Sequence, residues 1–189
     1  MSHIKKATVG IIGAMQIEVE ALCAAMENTE TETVGNMTFV LGDLRGKRVV
    51  CAKCGIGKVF AAMCAQTMIL RYAPACIINS GVAGTLSETL SIGQIALAEQ
   101  VVQHDMDTSP IGDPVGLISG INIIYIPTDR TVTAALAAAI ATQRRGHTSL
   151  SLSQPGGTLS VEAKWNGKKV SSIRLGGRVK FLPEKCAEI

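Results

Sequence analysis

Aromatic side chains are scarce in this chain of 189 residues, and long apolar stretches are absent. Phe, Trp and Tyr together make up 3% of the residues. Modules that stack aromatics on single-stranded nucleic acid need more of them, so we expect no nucleic-acid partner. No stretch approaches the ~20 consecutive apolar residues of a membrane-spanning helix, and the apolar run over residues 7–15 lacks the features of a signal peptide. We therefore expect a cytoplasmic protein without membrane contact.

The rest of the composition is that of a folded protein. Hydrophobic residues make up 47% of the chain and charged residues 17%, which excludes a disordered polypeptide. A chain of this length can bury a substantial core.

Charge is unevenly distributed along the chain. Residues 1–143 carry 9 basic and 12 acidic side chains, whereas residues 144–189 carry 9 basic and 3 acidic ones. The net charge of +3 is therefore the sum of an acidic body and a basic tail rich in Ser and Gly. We expect an α/β domain over residues 1–143 and a tail of uncertain fold over residues 144–189.

Six cysteines raise the question of disulfides or a metal site. Cys51 and Cys54 have the C-x-x-C spacing, but the segment around them is predicted to be a strand. Side chains three residues apart on a strand point to opposite faces, and no second Cys or His pair completes a tetrahedral site. The cysteines are therefore predicted to be small buried thiols.

Strands and helices alternate along the body of the chain. Apolar patterning predicts strands at 7–13, 33–43, 47–54, 75–80, 94–102 and 121–126, and helices at 16–28, 58–72 and 130–143. The helix at 58–72 is so apolar that we expect it to be mostly buried, and Asp129 is the predicted N-cap of the third helix. In the tail, Gly176-Gly177 is a candidate hairpin turn. The alternation favours an α/β fold with a mostly parallel sheet.

Three glycine-containing corners follow predicted strands, at 13–15, 54–58 and 80–84. Ligands of open α/β sheets bind at the carboxyl ends of strands, where small residues let the backbone approach them. None of the corners matches a dinucleotide or Walker A fingerprint. Glu18 lies in the first turn of the helix after the first strand, where it is either a catalytic base or a carboxylate that offsets the helix dipole.

Four motifs, in order, carry a family resemblance. They are Val9-Gly-Ile-Ile-Gly-Ala-Met-Gln-Ile-Glu-Val19, Cys54-Gly-Ile-Gly-Lys-Val59, Ile78-Asn-Ser-Gly-Val-Ala-Gly84, and His104-Asp-Met-Asp-Thr-Ser109 followed by Gly112-Asp-Pro-Val-Gly116. Over about residues 7–143 the chain resembles the 5′-methylthioadenosine/S-adenosylhomocysteine nucleosidases.

The resemblance implies a nucleoside phosphorylase-like three-layer fold, with a mixed, mostly parallel sheet flanked by helices and with its C-terminal part missing or altered. It implies hydrolysis of an N-glycosidic bond to release adenine in methionine salvage, by a homodimer that needs no cofactor or metal. Glu18 matches the glutamate that activates the attacking water. The substrate-binding positions that it implies are Met15 and Ile56 on the ribose and alkylthio side, Ala83 and Gly84 facing the purine, and their neighbour Val82.

The resemblance ends near residue 143. The Ser-Gly-Asp, Glu-Met-Glu and Ser-Asp motifs of the family have no counterpart in the tail, which contains no aspartate. A truncated or frame-shifted reading frame explains this, and a genuinely divergent tail is the alternative. Three functions stay open: a nucleosidase, inactive or active in this form; a phosphorylase of the same fold; and a catalytically dead nucleoside-binding or dimerisation module.

Overall fold

The computed structural model describes residues 7–84, 86, 94–143, 149–154, 157–166 and 169–179, with side chains as far as residue 140. The chain forms two compact units, residues 1–91 and 92–189. The domain boundary expected near residue 143 stays a prediction.

The first unit is a mixed sheet with helices. Its elements are β1 (Val9–Gly13), α1 (Gln16–Ala24), β2 (Glu27–Val34), β3 (Met37–Leu44), β4 (Lys47–Lys53), α2 (Lys58–Tyr72) and β5 (Cys76–Asn79). The strand order is β2-β3-β4-β1-β5. Strand β1 lies between β4 and β5 and runs parallel to both, while β2, β3 and β4 form an antiparallel meander. The predicted α/β class with a mixed sheet is confirmed.

Alternation along the strands divides the core between the two faces of the sheet. Ile11 and Cys51 belong to the cluster that contains Val19 of α1, whereas their chain neighbours Ile12 and Ala52 belong to the cluster of α2. The α2-side cluster also contains Phe39, Leu41, Val50, Cys54, Cys64, Met68 and Tyr72. Cys51 and Cys54 thus lie on opposite faces as predicted, and the five described cysteines are free thiols.

Two boundaries differ from the sequence prediction. Helix α1 ends at Ala24 instead of residue 28, because the chain turns there and buries Met26 against the sheet. The predicted strand at 33–43 is in fact the end of β2, a turn at Gly35, and β3. Gly35 has a φ of 59°, a left-handed conformation that glycine adopts without steric cost. β2 was missed because its Glu- and Thr-rich sequence is largely exposed at the sheet edge.

Helix α2 has the predicted bounds but not the predicted burial. It ends where Ala73 adopts a left-handed conformation, directly before Pro74. One stripe, formed by Cys64, Met68 and Tyr72, is fully buried. Several apolar side chains on the rest of the helix are at least half exposed: Val59, Phe60, Met63, Ile69 and Leu70. The expectation of a mostly buried helix was therefore wrong.

The second unit contains shorter strands and one long helix. Its elements are β6 (Gln100–Val102), a 3₁₀ turn (Ser109–Ile111), β7 (Tyr125–Pro127), α3 (Arg130–Gln143), β8 (Ser149–Gln154), β9 (Gly157–Asn166) and β10 (Lys169–Val179). The predicted strands at 94–102 and 121–126 are thus reduced to three-residue strands. Asp129 caps α3 as predicted, because its Oδ1 accepts the N–H groups of Thr131 and Val132 at 2.8 and 2.9 Å.

The predicted hairpin turn at Gly176-Gly177 was wrong. Both glycines lie inside β10, where they pair with Ser160 and Leu159 of β9, and β8, β9 and β10 form an antiparallel meander. Among the described residues, no helix has both the length and the apolar character needed to cross a bilayer.

Candidate active site

Three loops meet at one edge of the first unit's sheet. β1, β4 and β5 are parallel neighbours, so the loops that follow them leave the sheet at the same edge. Backbone hydrogen bonds join these loops to the end of β1. Cys54 N–H donates to the Gly13 carbonyl at 2.8 Å and Gly55 N–H to the Ala14 carbonyl at 3.1 Å, while Ser80 N–H donates to the Ile12 carbonyl at 2.9 Å.

The Glu18 carboxylate links two of these loops. Its Oε2 accepts the N–H of Met15, the N-cap of α1, at 2.9 Å. Its Oε1 accepts the N–H of Val82, which lies 64 residues further along the chain, at 3.0 Å. One half-buried carboxylate is therefore fixed between the start of α1 and the loop after β5.

The same contacts set the charge of Glu18. The N–H group of Val82, followed by that of Met15, lowers the pKa of the Glu18 carboxyl below its ordinary value, against a smaller opposing effect of desolvation. Glu18 is therefore an anion at neutral pH. A carboxylate in this state offers oxygen atoms to a water proton and negative charge to a developing cation.

Cys54 shares this environment. Burial and, to a lesser extent, the negative charge of Glu18 raise the pKa of its thiol, which donates to the Gly55 carbonyl at 3.1 Å. A thiol held protonated in this way is a poor nucleophile.

The predicted site residues divide into two groups. Met15 and Val82 contact Glu18 directly through their backbone N–H groups. Ile56, Ala83 and Gly84 lie in the adjoining loops as exposed residues, and no described hydrogen bond joins them to the carboxylate. The side chains of Ile56 and Val82 are 75% and 76% exposed, so they are available to a ligand.

Sequence reasoning missed the role of the Val82 backbone and the proximity of Cys54. The proximity of Cys54 to Glu18 could have been predicted, because Cys54 directly follows β4, the strand beside β1. No sequence pattern predicts the contact with Val82. Every residue type except proline has a backbone N–H group, and only the fold brings this one to Glu18.

The segment around His104 is arranged differently. Asp107 Oδ1 accepts the N–H of Ser109 at 2.9 Å, and Thr108 donates its hydroxyl to Asp113 at 3.0 Å. These local bonds organise the turn at Ser109–Ile111. Within the described part of the chain, no three His, Cys, Asp or Glu side chains are grouped so that they could hold a metal ion.

Comparison with known proteins identifies the family of the chain. The model of the phosphorylase superfamily matches residues 8–162, which extends beyond the residues that carry the sequence motifs. The chain is 40% identical over 133 residues to a 5′-methylthioadenosine/S-adenosylhomocysteine nucleosidase of Shewanella loihica, covering 70% of this chain and 57% of the relative. The chain thus spans little more than half the length of this relative.

Solved structures of nucleosidases and of a related hydrolase also match this chain. The nucleosidase of Neisseria meningitidis in complex with methylthio-immucillin-A matches with a TM-score of 0.69 and 35% identity, over 74% of this chain and 60% of that one. The futalosine hydrolase of Helicobacter pylori matches with a TM-score of 0.67 and 33% identity, over 75% of this chain and 59% of that one. Because the family model covers most of its residues, this chain belongs to the phosphorylase superfamily.

Proposed function

We propose that the protein hydrolyses the N-glycosidic bond of 5′-methylthioadenosine and S-adenosylhomocysteine, releasing adenine and a thioribose in methionine salvage. The observation that carries this proposal is the Glu18 carboxylate, which two backbone N–H groups hold as an anion at the edge where three loops meet. The similarity to nucleosidases of the same superfamily supports the choice of substrate.

In the proposed reaction a water molecule hydrogen-bonds to Glu18. The bond from C1′ to the adenine nitrogen lengthens, its electron pair leaves with the base, and C1′ gains positive charge that the carboxylate stabilises. The water oxygen then bonds to C1′ and its proton passes to Glu18. Met15 and Ile56 are proposed to face the ribose and alkylthio group, and Val82, Ala83 and Gly84 to face the purine.

The leaving adenine also needs a proton. The resemblance assigns this proton to an aspartate of a Ser-Asp pair, and residues 144–189 contain no aspartate. In the proposed reaction solvent water therefore protonates the leaving base. General acid assistance contributes about 10²–10⁴-fold to such reactions, so we expect adenine release slower by about that factor than in a nucleosidase that has the acid.

The direct test is release of the purine base from methylthioadenosine, S-adenosylhomocysteine and futalosine in phosphate-free buffer. We expect slow release from the first two that falls at least ~100-fold in Glu18→Gln, which keeps the shape of the side chain but removes its charge. Glu20→Gln is the matched control, because Glu20 lies exposed on the same helix. Equal rates in the two variants would remove Glu18 from the mechanism.

The same assay separates the two alternatives. A phosphorylase would need added phosphate and would form a sugar phosphate, but the loops 13–15, 54–57 and 80–84 contain no Lys or Arg, and only Lys53 and Lys58 flank them. A catalytically dead module would bind adenine, as measured by calorimetry, without releasing any from the nucleoside.

We also propose that the protein is a homodimer that uses the exposed side of α2. Val59, Met63 and Leu70 recur there at the spacing of a helix-pairing stripe, and each is more than half exposed. Sedimentation is expected to report a dimer of the full chain and a monomer for Met63→Lys. Gln66→Lys is the comparison variant, because Gln66 is the polar residue of the same stripe and its replacement should weaken the dimer less than Met63→Lys does. A monomeric unmodified chain would refute this proposal.

The cytoplasm is the proposed compartment. Support comes from the free thiols of Cys23, Cys51, Cys54, Cys64 and Cys76, which a reducing compartment preserves.

A further inference from the structure

The position of the Glu18 carboxylate depends on a residue that has no side chain. A Cβ atom built on Gly81 would lie 2.7 Å from Oε1, 2.9 Å from Cδ and 3.1 Å from Oε2 of Glu18. All three distances are shorter than ordinary van der Waals contact between such atoms. The carboxylate therefore occupies the volume that any other residue at position 81 would fill.

The cause of this requirement is steric and not conformational. The φ of Gly81 lies outside the left-handed region, so the φ angle itself does not require glycine at this position. The atoms that meet the added Cβ belong to the end of a flexible side chain, whereas the loop backbone is tied to β1 through Ser80. The carboxylate, and not the loop, is the part that yields.

Displacement of the carboxylate would break the contacts that fix it. Oε1 is held at 3.0 Å from the N–H of Val82, the residue directly after Gly81, and Oε2 at 2.9 Å from the N–H of Met15. Gly13, the last residue of β1, is also close to this helix: a Cβ there would lie 2.6 Å from Cγ1 of Val19 and 3.1 Å from Cβ of Glu18. Gly81 is therefore the glycine whose missing side chain leaves room for the carboxylate itself.

We propose that Gly81 is a positioning residue whose missing side chain sets the place of the Glu18 carboxylate. This inference rests on the proposed function for its catalytic consequence, but its steric part is independent of that function. Any larger residue at position 81 pushes the carboxylate out of reach of Val82 and away from the reacting C1′ carbon. A misplacement of about 1 Å is enough to cost on the order of 10²-fold in rate.

The steric part is tested by a double-mutant cycle on the full chain, without any substrate. Gly81→Ala and Glu18→Ala are made singly and together, and the thermal midpoints are compared. Gly81→Ala is expected to lower the Tm of the unmodified chain by several degrees and to leave the Tm of the Glu18→Ala chain within about 1 °C. Equal losses in both backgrounds would show that alanine disturbs the loop itself, and would overturn the proposal.

The catalytic part is tested by steady-state kinetics of adenine release. Gly81→Ala is expected to lower kcat about 100-fold while KM changes less than about threefold, since the carboxylate acts on the transition state. An unchanged kcat, or a loss that appears only in KM, contradicts the positioning role. If the unmodified chain releases no adenine but the stability cycle behaves as expected, the proposed function fails and the assignment of Gly81 stands.

Discussion

Glu18 and Asp107 are two carboxylates whose pKa values are lowered for related reasons but whose surroundings differ. Asp107 accepts hydrogen bonds from the side chain and backbone of Ser109, two residues away. Glu18 accepts one from its own helix start and one from Val82, on a loop 64 residues away. A lowered pKa alone therefore does not identify a reactive group. The long-range contact, at an edge where strand ends converge, distinguishes Glu18.

Shortening the side chain of Glu18 is the strongest test of this difference. Glu18→Asp withdraws the carboxylate by about one C–C bond, roughly 1.5 Å, so it loses contact with Val82. We expect kcat for adenine release to fall about 10–100-fold. Glu20→Asp on the same helix should stay within about twofold of the unmodified rate. A fully active Glu18→Asp chain would mean that the long-range contact has no catalytic value.

The strands and helices of the chain were predictable to different degrees. β1, α2 and β5 followed from their apolar patterns, and the end of α2 followed from Pro74. β2 did not, because an edge strand of alternating Glu and Thr has no buried face to give it an apolar pattern. The position of Gly176-Gly177 inside β10 was missed since local turn chemistry was outweighed by pairing with β9.

Burial was harder to predict than secondary structure. The apolar content of α2 predicted a buried helix, but only the stripe of Cys64, Met68 and Tyr72 is fully buried, and other apolar side chains such as Val59 and Leu70 are more than half exposed. Composition shows how many apolar side chains a helix has, but it does not show which of them the rest of the fold covers. For the site, family motifs indicated Glu18, Met15 and Val82, whereas the backbone contacts between them depend on the strand order.

Stability against pH tests the charge of Glu18 by a smaller effect. Because the folded pKa of Glu18 is below its unfolded value of about 4.5, its contribution to stability is fully present above that value and is lost as the pH falls through the folded pKa. The difference in unfolding free energy between the unmodified chain and Glu18→Gln should therefore be constant above about pH 6 and shrink below about pH 4.5. Denaturant titrations at pH 7, 5 and 3.5 measure it, and a difference that grows on acidification would contradict the sign.

Asp107→Asn should have the smallest effect. The amide oxygen of asparagine still accepts the N–H of Ser109, so the turn at Ser109–Ile111 is retained. We expect adenine release within about twofold of the unmodified rate at pH 7. A loss comparable to that of Glu18→Gln would give Asp107 a catalytic role and remove the distinction drawn between the two carboxylates.

Two backbone N–H groups hold Glu18 as an anion at the meeting point of three loops. A titration of the Glu18 carboxyl carbon by ¹³C NMR, in the full chain without ligand, measures this directly. The contacts with Val82 and Met15 predict a pKa below the ordinary glutamate value of 4.5. A pKa at or above that value would show that these N–H groups do not fix the charge, and would contradict the account of the site.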